Sequence, residues 1–242
     1  LCANGFYFII AYNNYIVYNN NTKQSLGRNS MISKDARGFV LLSDVVPHIV
    51  QEIRYFSTFN FVGDRVDGYE EPVALLTQDA ARALKSVSNE MMVKGYRLKV
   101  FDAYRPVMAV KHFMLWAIED ADVRMKPYFY PDIDKQDAFE LGYIAKQSSH
   151  SRGSAIDLTL LDMKTGREVD MGGPFDLFSE VSHPDYRGIT DEQYANRMLL
   201  RAAMERNGFE PYECEWWHFR LADEPFPNTW FNFPVARGSV KA

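Results

Sequence analysis

The chain has only two cysteines, Cys2 and Cys214, in 242 residues. That is too few for a disulfide scaffold and is compatible with a reducing compartment. It has no run of Lys or Arg, and its formal net charge is -5; it therefore offers no electrostatic footprint for nucleic acid or an anionic membrane surface. It also lacks the roughly 20 consecutive apolar residues that a membrane-spanning helix needs. The apolar run near the start is interrupted by Asn13 and Asn14 and follows no basic segment, which makes it a poor secretory signal. No internal repeat, low-complexity linker or domain boundary is visible past residue 30. What remains, with 47% hydrophobic and 24% charged residues, is an ordinary globular chain long enough for one substantial core.

Local patterns supply the elements. Residues 77–94 have helical spacing at Ala80, Leu84, Val87 and Met91, with Thr77 placed to cap the start and Gly95 to end it. Residues 96–101 alternate as a strand that delivers Asp102 and Arg105 at its end, and Pro106 opens the next helix where its missing N–H does no harm. Residues 119–136 contain Pro127 and Pro131 and are expected to form a surface loop. Residues 155–161 have the composition of a buried strand, with 162–166 turning into a second strand at 167–170. A Thr190-x-x-Gln193 capping box predicts a helix over 190–207, closed by Gly208 and followed by an aromatic strand over 209–221. Helices interspersed among short hairpin-forming strands predict an α+β fold: an antiparallel sheet with flanking helices.

Two short stretches carry chemistry. Residues 148–157 are SSHSRGSAID and residues 215–218 are EWWH. His150, Asp157 and His218 together form the ligand set of a catalytic zinc site in a central cleft, one ion per chain, because such sites take three protein ligands and leave a fourth position to water. Glu215 remains free to act as the general base on that water. The small Gly153, Ser154 and Ala155 would let the backbone pass close to metal and substrate. On a flat strand, Glu215 and His218 would point to opposite faces because their separation is odd, so Glu215 is expected in a bend or irregular stretch. Cys214 beside the base is a weaker candidate nucleophile, since the histidine it would need as partner is already a ligand.

Together with FDAYRP at 101–106, VDGYE at 66–70 and DEPFPNTWFNFP at 223–234, these motifs closely resemble the zinc D-alanyl-D-alanine dipeptidases, the VanX-type branch of the D,D-peptidases. The resemblance runs from about residue 31 to residue 234. It implies hydrolysis of the small dipeptide D-alanyl-D-alanine, in cell-wall metabolism or glycopeptide resistance. It makes Arg105, which could otherwise simply pair with Asp102, the stabiliser of the tetrahedral oxyanion, work that suits a planar and permanently charged guanidinium. It further implies that Ser148, Asp176 and Tyr55 grip the charged ends of the dipeptide, with Asp176 receiving the ammonium; in isolation, the serine and the aspartate would serve as turn residues.

Residues 1–30 precede the resemblance and are expected to be an extension to a single domain spanning 31–242. The expected location is cytoplasmic, or periplasmic or lipid-anchored should that segment be the remnant of a signal. Two other functions fit the same motifs: a D,D-carboxypeptidase trimming peptidoglycan stem peptides, and a zinc-binding module that has lost catalysis. Retention of Glu215 and Arg105 argues against the second. The oligomeric state is not legible in the sequence.

Overall fold

A computed structural model describes residues 31–240 of the protein, so the expected extension over residues 1–30 lies outside the described residues. The strands in chain order are β1 (Met31–Ser33), β2 (Phe39–Leu41), β3 (Val50–Gln51), β4 (Leu75–Thr77), β5 (Tyr96–Asp102), β6 (Ala155–Asp162), β7 (Phe209–Tyr212), β8 (Glu215–Leu221) and β9 (Thr229–Phe231). The helices are α1 (Leu42–Val45), α2 (Gln78–Val93), α3 (Val107–Ile118), α4 (Lys126–Phe129) and α5 (Asp191–Arg206).

The central sheet has the order β3-β5-β6-β8-β7. It is antiparallel from β5 to β7, with the two-residue β3 joining its edge in parallel. Two small pairs, β1 with β9 and β2 with β4, flank it. Helices α2 and α5 pack on the sheet and on each other. The core contains Leu98 and Val100 of β5, Ile156, Leu158 and Leu160 of β6, and Ala80, Leu84, Val87 and Met91 of α2. Leu84 is fully buried, so cutting it back to Ala would cost about 2 to 5 kcal/mol. Along β6 the alternate positions, Asp157 and Thr159, face the other way by the two-residue period. The strand thus puts its apolar residues into the core and its aspartate into the cleft.

Both predicted long helices form. The capping box at Thr190 is complete: the Thr190 hydroxyl accepts from the Gln193 N–H, and the Gln193 side chain accepts from the Thr190 N–H. Thr77 stands at the start of α2 but does not cap it through its side chain, because its hydroxyl is engaged with the Ser154 hydroxyl at 2.9 Å. Three stretches differ from expectation: the single strand expected over 209–221 is a hairpin of two antiparallel strands, β7 and β8, turning between Tyr212 and Glu215. The 119–136 loop contains the single turn α4, and residues 167–170 form no strand, only a bridge between Leu161 and Glu168. The chain leaves the sheet there to form the irregular segment that carries Asp176. Among the described residues, no helix is long and apolar enough to cross a membrane.

Candidate active site

The site is assembled from three adjacent strands and the turn that precedes one of them. Asp157 on β6 is the direct register partner of His218 on β8 and of Asp102 on β5. The β5 pairing reaches Asp102 only through a register shift after Val100. Without that bulge, Phe101 would oppose Asp157 and an apolar ring would occupy the place of a carboxylate.

His150 enters from a 3₁₀ turn, Ser149–Arg152, whose first backbone groups are satisfied by the Ser148 hydroxyl accepting from the His150 N–H. The turn ends at Gly153 with φ of 77°, where a Cβ would lie 2.1 Å from the Phe39 ring. The glycine is therefore required by a left-handed backbone and by close packing on Phe39.

The Nδ1 of His150 lies 2.6 Å from the Ala103 carbonyl oxygen. A carbonyl can only accept, so Nδ1 carries the proton and Nε2 presents a lone pair. That lone pair sits 3.0 Å from His218 Nδ1 and 3.3 Å from Asp157 Oδ1, and His218 Nδ1 is 3.0 Å from the same Asp157 oxygen. The three potential ligand atoms all lie within 4.8 Å of one another. Two imidazole nitrogens and a carboxylate oxygen converging on one point, with one ring fixed from behind by a backbone acceptor, fit a divalent cation of the zinc type. Burial alone would raise the Asp157 pKa, but its interactions with His150 and His218 outweigh it and hold the carboxyl well below the usual range. Burial lowers the pKa of His218 despite its hydrogen bond to Asp157, which favours the neutral imidazole that binds metal.

Glu215 and His218 both line the same cavity, despite their odd separation on β8. The β7–β8 register runs from Glu210↔Arg220 to Pro211↔Phe219 and then jumps to Tyr212↔Glu215. The strand is irregular between Glu215 and His218, as the spacing required. Burial, followed by the negative charges of Asp157 and Asp176, pushes the Glu215 carboxyl well above its ordinary pKa.

Arg105 follows β5. Its Nε donates to Asp102 at 2.8 Å and one terminal nitrogen lies 3.5 Å from Asp157. Its guanidinium also rests over the rings of Tyr55 and Phe113, at 4.9 and 5.2 Å. Burial opposes the charged form, but the surrounding acidic groups raise the Arg105 pKa further, so the guanidinium stays charged. The pairing with Asp102 that sequence offered as the bland alternative is present, but it lies inside the cleft. Asp102 is itself buried and accepts from the Tyr69 hydroxyl at 2.6 Å. Beyond a pairing with Arg105, nothing in the local sequence marks Asp102 as part of the site; the register that sets it beside Asp157 does.

Across the cavity, the Tyr55 hydroxyl donates to Asp176 at 2.9 Å, and both residues are buried. Burial and the nearby Asp157 push the Asp176 carboxyl up to about 8. All eight residues singled out from the sequence (Tyr55, Arg105, Ser148, His150, Asp157, Asp176, Glu215 and His218) line one cavity of about 390 Å³, a size suited to a small ligand.

A family model described as D-ala-D-ala dipeptidase matches residues 35–236. A D-alanyl-D-alanine dipeptidase of Enterococcus faecium is 43% identical over 198 residues, covering 82% of this chain and 98% of its own length. The protein of the same description from Streptomyces coelicolor is 39% identical, with coverage of 82% and 98%. That of Escherichia coli is 35% identical over 188 residues, covering 77% of this chain and 86% of its own.

Proposed function

The chain belongs to the D-ala-D-ala dipeptidase family, and from that premise we propose that His150, Asp157 and His218 hold one zinc ion, beside which Glu215 and Arg105 hydrolyse D-alanyl-D-alanine to two D-alanines. The observation that carries the assignment is the convergence of ligand atoms of His150, Asp157 and His218 within 4.8 Å of one another, in residues that all line one cavity. A zinc ion held there supplies Lewis acidity, lowering the pKa of a water and polarising the peptide carbonyl.

The protein's own groups do the rest. Glu215 takes a proton from the attacking water as the new C–O bond forms. It returns that proton to the leaving amine as the C–N bond breaks, so the carboxylate is regenerated with each turnover. Arg105, held charged by Asp102, faces the negative charge that develops on the carbonyl oxygen, where a fixed cation in a water-poor cleft is most effective. Asp176 with Tyr55 receives the ammonium of the dipeptide. The Ser148 hydroxyl, already accepting from the His150 N–H, keeps its own O–H to donate to a substrate oxygen.

The test is a metal analysis of the purified protein alongside hydrolysis assays on free D-alanyl-D-alanine and on a pentapeptide ending in D-Ala-D-Ala. About one zinc per chain and turnover of the dipeptide are expected. Hydrolysis of the pentapeptide in preference to the dipeptide would overturn the substrate assignment in favour of the carboxypeptidase reading.

A further inference from the structure

Helix α5 keeps one charged side chain in the protein interior. Arg197 is 1% exposed and, among the described residues, is hydrogen-bonded by main-chain carbonyls without a carboxylate in ion-pair contact. Its Nε donates to the Met171 carbonyl at 2.6 Å, one terminal nitrogen to His183 at 2.9 Å and the other to Val181 at 2.9 Å. Burying a guanidinium with no carboxylate in contact is costly unless its nitrogens are hydrogen-bonded, and here the charge of Asp170 opposes the effect of burial only in part. Burial lowers the Arg197 pKa to about 10. A leucine or methionine would fill the space without that cost, so the three donors need a reason.

The three carbonyls belong to the two feet of one segment, residues 170–183, with Asp176 between them. Neighbouring α5 side chains hold the first foot as well: Asn196 donates to the Asp170 carbonyl and Gln193 to the Asp170 carboxylate, both at 2.9 Å. The segment has no strand, and its only helical turn is the 3₁₀ turn Glu180–Ser182. Asp176 is the one non-glycine residue with positive φ among the described residues, at 62°. A non-glycine residue stays in that region only where its surroundings over-determine the backbone. On the far side, Phe175 stacks on Phe101 at 4.7 Å and meets Trp217 edge-on at 5.4 Å, so the segment is fixed from the sheet and from α5 together.

We propose that Arg197 is a positioning residue for substrate recognition: by clasping both feet of the 170–183 segment, it holds Asp176 at the cavity wall where the dipeptide's ammonium is received. This rests on the reading of Asp176 as the ammonium anchor. Arg197 does not itself touch substrate. Its effect is confined to the amine end and leaves the metal ligands and Glu215 as they are.

The experiment compares two phosphinate analogues of the dipeptide, one with the free amine and one in which hydrogen replaces the amine. Both are measured against the zinc-loaded wild-type protein and the Arg197→Lys, Asn196→Ala, Asp176→Asn and Arg197→Lys/Asp176→Asn variants. Lysine keeps the charge but cannot bridge three carbonyls; Asn196→Ala loosens one foot from the half-buried side and leaves the core intact. The wild type should prefer the amine analogue, and Asp176→Asn should abolish that preference. Arg197→Lys should reduce the preference by about tenfold or more, the scale of one charge-assisted hydrogen bond. Asn196→Ala should reduce it less. Affinity for the amine-free analogue should be unchanged, the double variant should lose nothing beyond Asp176→Asn, and amide exchange should quicken within residues 170–183. A wild-type preference in both loosened variants, or an equal loss for both analogues, would overturn the proposal. If Asp176→Asn itself keeps the preference, the anchor reading fails, an outcome distinct from Arg197 failing to act through Asp176.

Discussion

Glu215 and His218 stand three residues apart on one strand, yet the Glu215 carboxylate lies 3.9 Å from His218 Nδ1. Regular pleating would place them on opposite faces. The register jump between Pro211 and Tyr212 removes that conflict and sets a carboxylate beside the proposed ligand cluster without making it part of the cluster. The proposed base and the proposed ligand are thus separated by geometry within a four-residue motif.

That separation predicts the behaviour of Glu215→Gln. The amide keeps the shape and hydrogen bonding of the side chain but cannot accept a proton at neutral pH. Turnover of D-alanyl-D-alanine should fall by about 10²- to 10⁴-fold, the usual worth of a general acid–base group, while the protein still binds about one zinc. Loss of zinc in this variant would make Glu215 a ligand, and survival of both zinc and turnover would assign the proton to another group.

The ligands should behave in the opposite way. His150→Ala and His218→Ala each remove one of the three proposed protein ligands, so bound metal and activity should fall together when measured on the same preparation. A fully metallated and fully active His218→Ala protein would rule out the site.

The helices and the metal motifs were legible in the sequence because each depends on local pattern: apolar spacing in α2, the capping box of α5, the His-x6-Asp and Glu-x-x-His pairs. The resemblance supplied Tyr55, Ser148, Arg105 and Asp176, which no local pattern would have selected. What was not legible depends on register and on long-range contacts. Nothing near Asp102 announces that a bulge at Phe101 will set it opposite Asp157. Nothing in residues 167–170 reveals that the chain will abandon the sheet, since Asp170 is held by Gln193 and Asn196, and the next residue, Met171, by Arg197, from a helix more than twenty residues away. Thr77 looked like a helix cap and is instead tied to Ser154, a partner that only the fold brings near.

The domain boundary proposed at residue 31 can also be checked. Met31–Ser33 pairs with Thr229–Phe231, so a chain beginning at Met31 retains every strand of the described fold. Such a chain should stay soluble, melt at the temperature of the full chain and turn over the dipeptide at the same rate. Loss of solubility or turnover would assign residues 1–30 to the folded domain.

The pH dependence of stability tests the environment of Asp176. In the metal-free protein its carboxyl is pushed up to about 8, first by burial and then by Asp157, with Arg105 and the Tyr55 hydrogen bond opposing. In the unfolded chain an aspartate titrates near an ordinary value of about 3.9. Between those two values the folded state binds more protons than the unfolded one, so this group makes stability fall as pH rises from about 4 to about 8. Below that window both states are protonated and the contribution is constant; above it both are ionised and the full penalty is present. Asp176→Asn removes the titration and keeps the side chain's size. Thermal melts of the chelator-treated proteins should therefore show the variant gaining on the wild type as pH increases through the window, by several degrees at pH 8, with the smallest difference near pH 4. A difference in melting temperature that does not change with pH would mean that Asp176 titrates normally and that its carboxylate is solvated in the folded protein.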